Sequence, residues 1–163
     1  MKTSDLLKLT VVLAALLLGN GLLRAADVLK LGHAANNHIY AQKLVNEIAA
    51  SNTTLMAVGM HCVVPGTAKQ VVVASTLNII GKPSDPEDIV RGSTTISPSA
   101  KTPKIGIMMP LHDSAGKEIG SLALQFKFYT GEDQVKFFAE ATEIRDRVAR
   151  QIPSLTDLFT AQP

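Results

Sequence analysis

Apolar and polar positions along this chain change period several times, and each change marks an element. Between Ala34 and Ala50 the residues Tyr40, Leu44, Val45 and Ile48 recur at helical spacing with no proline inside, and Asn36 or Asn37 stands where an N-cap belongs. From Leu55 to Val64 the period becomes two and the run ends at Pro65-Gly66, while Gln70 to Ser75 is rich in β-branched residues. These two runs are expected to pair as antiparallel strands through a Pro-Gly turn. Ser84 or Asp85 can cap a short helix that opens on Pro86, Glu87 and Asp88. A weak polar strand follows over Ser93 to Ser97, then a loop from Pro98 to Pro103. Lys104 to Leu111 and Glu118 to Phe128 read as a hairpin closed at Asp113-Ser-Ala-Gly116. Thr130-Gly-Glu-Asp133 has the spacing of a capping box. The helix after it carries Phe137, Ala141, Ile144, Val148 and Ile152 on one face, with Glu143–Arg147 and Asp146–Arg150 as expected i,i+4 pairs.

Strands joined by turns rather than crossovers imply an antiparallel sheet, and helices at both ends of the chain must cover it. The expected fold class is therefore α+β. Two strands have informative alternation. One face of the first reads Met56, Val58, Met60, Cys62 and Val64, all apolar; the other reads Ala57, Gly59, His61 and Val63. The last strand carries Gly120, Leu122, Leu124, Phe126 and Phe128 on one side, and Ile119, Ser121, Ala123, Gln125 and Lys127 on the other. If the Gly59/His61 and Ser121/Gln125 faces coincide, small residues beside polar ones would make the floor of a pocket. The alternative is that these faces are exposed to solvent or satisfied under a helix, since glycine in a strand also marks bulges and close backbone packing.

Composition changes the picture mainly at the start of the chain of 163 residues. Lys2 and Lys8, the apolar run Leu9 to Leu18 interrupted by Thr10, and Leu23-Arg24-Ala25 have the layout of a secretory signal peptide. The run is short against the roughly 20 apolar residues a membrane span needs. Residues 1–25 are expected to direct export to the periplasm or beyond, leaving 26–163 as a single domain. Removing that segment takes away three of the 16 basic residues and one of the 14 acidic ones, so 13 of each remain. A neutral domain offers no electrostatic footprint for nucleic acid. Cys62 is the single cysteine, which excludes an internal disulfide; a buried, inert thiol is expected there.

Candidate chemistry is sparse. His33, His38, His61 and His112 show no metal-ligand spacing, so no metal site is expected, and no cofactor is indicated. No Gly-x-Ser-x-Gly or glycine-rich phosphate loop occurs. Enzyme chemistry would have to use Cys62 or His61, and no complete set of nucleophile, base and orienting group is legible.

His61 through Pro65-Gly66, Val72-Val-Ala-Ser75, Ile80-Gly-Lys-x-Ser-Asp85, Pro110-Leu-x-Asp-x-x-Gly-x-x-Ile-Gly120, and the tail Ile144-Arg-Asp with Gln151-Ile-Pro-Ser-Leu155 occur in an order that resembles extracytoplasmic PAS-like sensor domains of the Cache type, and a group of exported bacterial proteins of that architecture. The resemblance implies a five-stranded antiparallel sheet flanked by N-terminal and C-terminal helices. It also implies a ligand pocket on the far face, closed by the region from Ser84 to Gly92. His61, Ser75, Ser121 and Gln125 would line the site for a small molecule, with Lys82 or Arg91 at its rim. With no second apolar span before Pro163, such a domain would pass its bound state to a membrane partner. The alternative function is an interaction module or homodimer paired through the Phe137/Phe138 end of the last helix.

Overall fold

The computed structural model describes residues 38–84 and 92–162. The expected signal segment 1–25, the caps Asn36 and Asn37, the short helix after Ser84, and Arg91 lie outside the described residues.

Five strands form one antiparallel sheet in the order β2-β1-β5-β4-β3: β1 Leu55–Val63, β2 Gln70–Ser75, β3 Thr95–Pro98, β4 Lys104–His112 and β5 Glu118–Lys127. Helix α1 spans Tyr40–Ser51, α2 spans Gln134–Ala149, and a 3₁₀ turn covers Asp157–Phe159. This is the α+β, five-stranded antiparallel architecture that the PAS/Cache resemblance implies. Its two central strands, β1 and β5, are the pair whose alternation is clearest in the sequence.

Both helices pack on the same side of the sheet, α1 over β1 and β2 and α2 over β4 and β5. One continuous core holds Leu44, Val45 and Ile48 of α1, Phe137, Ile144 and Val148 of α2, and the strand residues Val58, Met60, Ile107, Met109, Leu122, Leu124 and Phe126. The α2 face read from the sequence is the buried one throughout, Ile152 included. Phe137 sits against both Phe126 and Phe128, with ring centroids 5.6 Å away in each case, in tilted and edge-on geometry.

Helix starts depart from expectation for a tertiary reason. α1 begins after Ile39, which has no side-chain cap. Instead Tyr40 N donates to Thr160 O at 2.9 Å, and Ile39 bridges Ala161. The backbone of the C-terminal segment thus satisfies a helix N-terminal donor that the sequence assigns to an asparagine side chain. At α2 the cap is Asp133, whose carboxylate accepts from Val135 N at 2.9 Å, and not Thr130. The i,i+4 pairs Glu143–Arg147 and Asp146–Arg150 do not form among the described residues; Asp146 pairs with its neighbour Arg145 at 2.7 Å. On a solvated helix such pairs contribute only tenths of a kcal/mol, too little to select one rotamer.

The turns follow their sequence chemistry. Thr67 N donates to Val64 O at 3.0 Å across Pro65-Gly66, and Gly66 has φ +80°, as a type II turn requires at its third position. In the long hairpin Asp113 Oδ1 accepts from Ala115 N at 3.0 Å and Lys117 N at 2.9 Å, and Gly116 takes φ +82°. The sheet edges are also managed. The segment 81–84 runs along β2, with Val72 N donating to Lys82 O and Ser84 N to Gln70 O. The opposite edge strand, β3, ends on Pro98, which has no N–H to offer.

Candidate ligand-binding face

Among the described residues no helix covers the second face of the sheet. Register decides what that face carries. Ala57, Gly59 and His61 of β1 lie opposite Gln125, Ala123 and Ser121 of β5, and these lie opposite Gly106, Met108 and Pro110 of β4. The two faces that the sequence leaves separate are therefore one face.

Two irregularities shape it. Between Leu55 and Ala57 the β1–β5 register slips, and Met56, read from its alternation as part of the apolar face, is 53% exposed. A second slip separates the pairs Met60–Ala74 and His61–Val72, making Val73 an extra residue of β2. Strict alternation would put Ser75 with Val71 and Val73 in the core. The bulge reverses it, so that Ser75 pairs with Gly59 on the open face. Gly59 is the gap between neighbours: a Cβ there would lie 3.6 Å from His61 Nε2 and 3.8 Å from Ser75 Oγ.

The nominated residues take different roles. His61 is buried, with Nδ1 3.1 Å from Ser84 Oγ. Ser121, also buried, is its direct cross-strand partner. Ser75 is on the face, but its hydroxyl donates to Val58 O at 3.2 Å and accepts from Leu77 N at 3.0 Å. Its backbone is held by Gln42 of α1: Gln42 Nε2 donates to Ser75 O at 3.1 Å, and Ser75 N donates to Gln42 Oε1 at 3.0 Å. Ser75 thus anchors the end of β2 to the helix layer. Gln125 is half-buried and borders a depression of about 190 Å³ with Thr95, Ser97, Gly106, Met108 and Ala123. Lys82 is exposed beyond the outer margin of β2. The structure thus gathers His61, Ser75, Ser121 and Gln125 on one face and sets Lys82 apart at the sheet margin.

The sequence places Ser84 as a helix cap at the start of the region that closes the pocket, and its contact with His61 depends on how 81–84 folds along β2. Two further participants are not among the expected residues. Gln42 sits on the buried side of α1, where only its polarity at an apolar position signals a partner. Gly120 lies against β1 so closely that a Cβ would fall 2.2 Å from His61 O; an isolated glycine inside a strand is the signal for such an approach.

Cys62 belongs to the other side. It is fully buried in the core, and burial pushes its thiol up to about 12. A thiol so placed is protonated at neutral pH, and neighbouring His61 faces the opposite way. Phe137 is likewise a core residue rather than a docking one; Val135 and Phe138 are the exposed apolar residues at that end of α2. Among the described residues no group of three His, Cys, Asp or Glu side chains is placed to hold a metal, and no helix is long and apolar enough to cross a membrane.

No protein-family model matches this sequence, and no curated protein matches it. Solved structures with a similar course of chain include the inducer-binding domain of the PobR transcription factor from Acinetobacter, at 14% identity over 71% of this chain and 96% of that one, TM-score 0.46. The GAF domain of a two-component sensor histidine kinase from Bacillus halodurans is 13% identical over 68% and 91%, TM-score 0.47. The GAF domain of a phosphoenolpyruvate-protein phosphotransferase from Acinetobacter is 13% identical over 81% and 92%, TM-score 0.45. No ligand or activity is carried over from likenesses this distant.

Proposed function

We propose that this protein is an exported small-molecule-binding domain of sensor type, with its ligand against the open face of the sheet. One observation carries the reading: register and the Val73 bulge gather Gly59, Ala123 and Gly106 beside His61, Ser121 and Gln125 on the face opposite the helices. Small residues leave room there, and few polar groups converge on it, which is how binding sites for small ligands are built. The export half of the proposal rests on the layout of residues 1–25, and a membrane-bound partner is its proposed receiver.

Native mass spectrometry of protein purified from its exported fraction, compared with the denatured sample, tests this. The expected result is a defined extra mass that denaturation removes and that His61→Ala or Gln125→Ala reduces. An empty protein whose far-face variants bind nothing their parent does not would refute it. A second reading, a pairing module, is favoured by the exposed Val135 and Phe138 on the first turns of α2; a Phe138→Asp change that converts a dimer to a monomer in sedimentation would support it.

A further inference from the structure

A second concavity lies away from the open face, at the tip of the long hairpin. It is a cleft of about 340 Å³ between that tip and the last turns of α2, lined by His112 and Ser114 on one side and by Arg145, Asp146, Ala149 and Arg150 on the other. On a helix these last four positions, i, i+1, i+4 and i+5, make one stripe, so α2 turns a single face toward the hairpin. Counting by two from Met108 and Pro110 would put His112 on the open face; the β4–β5 register slips between Leu111 and His112, and His112 lines the cleft instead. The two walls are tied together: Ser114 N donates to Ile152 O at 2.7 Å, just beyond the end of α2.

Donors outnumber acceptors there. Arg145 gives Nε and Nη2 to Asp146 Oδ1, at 2.8 and 2.7 Å, which offsets that carboxylate and leaves Nη1 for another acceptor. Asp113, beside the cleft, already accepts on Oδ1 from the amides of Ala115 and Lys117. Among the described residues the Arg150 guanidinium, the His112 imidazole and the Ser114 hydroxyl have no hydrogen bond or ion pair within the chain. Basic residues near a helix C-terminus complement its dipole, which accounts for the two arginines by themselves. It does not account for a histidine and a serine on the facing wall, contributed by another element.

We infer that this cleft is a second binding site, for a tetrahedral oxyanion: the phosphoryl group of a small soluble ester, held by Arg145, Arg150, His112 and Ser114. The inference is independent of the open-face reading. Two guanidinium groups offer planar forks suited to phosphate oxygens, and the hydroxyl and imidazole add donors from the opposite wall, so oxygens that point in different directions each find one. A phosphoryl group fills only part of 340 Å³, which leaves room for a short polar body. The carboxylates of Asp113 and Asp146 at the cleft, with Glu118 opposite His112 on β5, oppose the approach of an extended anionic surface such as a bilayer, while a discrete anion reaches the donors between them.

The test is a ¹⁵N–¹H NMR titration of the full chain with glycerol 3-phosphate, and with glycerol and acetate as controls. Glycerol 3-phosphate is expected to shift the Ser114, Gly116 and Ala149 amides saturably and to bind at least about tenfold more tightly than acetate, with the preference fading at high salt. Glycerol is expected to shift none of them. H112Q/R150Q is expected to lower the affinity at least about tenfold while leaving Tm unchanged, because neither side chain bonds to another described residue. No saturable shift at these amides, equal binding of acetate, or binding that survives H112Q/R150Q would overturn the inference, and so would shifts confined to open-face amides such as Gly106 and Gln125. Binding to phosphatidic acid vesicles without binding of glycerol 3-phosphate would overturn it in favour of a membrane surface. None of these outcomes bears on the open-face site, which native mass spectrometry tests separately.

Discussion

Replacing Gly120 with alanine tests the closest approach in the central strand pair. Gly120 lies opposite Cys62, and a Cβ at this position would sit 2.2 Å from His61 O, 2.8 Å from Cys62 Sγ and 3.1 Å from Cys62 Cα. The clash is with backbone, so no rotamer relieves it; β5 must move away from β1 by about 1 Å to restore a normal carbon–oxygen contact. A ladder bond stretched by that much is lost, and about two neighbouring bonds at about 1 kcal/mol each are affected. Overpacking in a dense core adds about 1–3 kcal/mol. The expected loss is about 3–5 kcal/mol, read as a fall in the urea midpoint at unchanged m-value. Because the displaced carbonyl belongs to His61, the His61 ring resonances and their contact with Ser84 should shift as well. A Gly120→Ala protein within about 1 kcal/mol of the parent, with unperturbed His61 signals, would refute the claim that this glycine sets the β1–β5 spacing and holds the site in place.

Other expectations follow from single contacts. Gln42→Leu keeps the side-chain volume but leaves the buried N–H and C=O of Ser75 without the Gln42 amide; a loss of about 2–4 kcal/mol in chemical denaturation is expected, with faster hydrogen exchange at the end of β2. Asp113→Ala removes the acceptor for Ala115 N and Lys117 N, which should cost about 1 kcal/mol and speed amide exchange within the hairpin tip alone. Cys62 has an ordinary thiol value of 9.0 when unfolded and about 12 when buried, so above pH 9 the unfolded chain loses a proton that the folded chain keeps. Its contribution is therefore complete below pH 9 and declines toward pH 12, by at most about 1.4 kcal/mol per pH unit. Denaturation measured at pH 8 and pH 10 should show this slope in the parent and not in Cys62→Ala. In the same state, a thiol reagent at pH 8 should label Cys62 only after denaturation.

The parts of the fold that sequence reading reached share a cause. Alternation assigned Gly59, His61, Ser121, Ala123 and Gln125 to the less apolar sides of their strands, because a residue's face follows from counting by two along a regular strand. The 3.6-residue period assigned Phe137, Ala141, Ile144 and Val148 to the core for the same kind of reason. Asp113-Ser-Ala-Gly116 and Pro65-Gly66 were legible because the backbone angles of tight turns admit few residues. Ser75 and Met56 broke the count, since each lies at or beyond a bulge, and a bulge is a property of two paired strands rather than of one.

By itself, then, the amino-acid order determined the kinds of elements, their inward faces, the turns between them and the α+β class, all of which depend on residues near one another in the chain. Tertiary structure alone decided that the His61 and Gln125 faces coincide, that Ser75 crosses to join them, and that Ser84 reaches His61. Those outcomes depend on strand order and register. Both are set by how the whole set of apolar faces buries together, a sum over distant residues to which no local stretch of sequence has access.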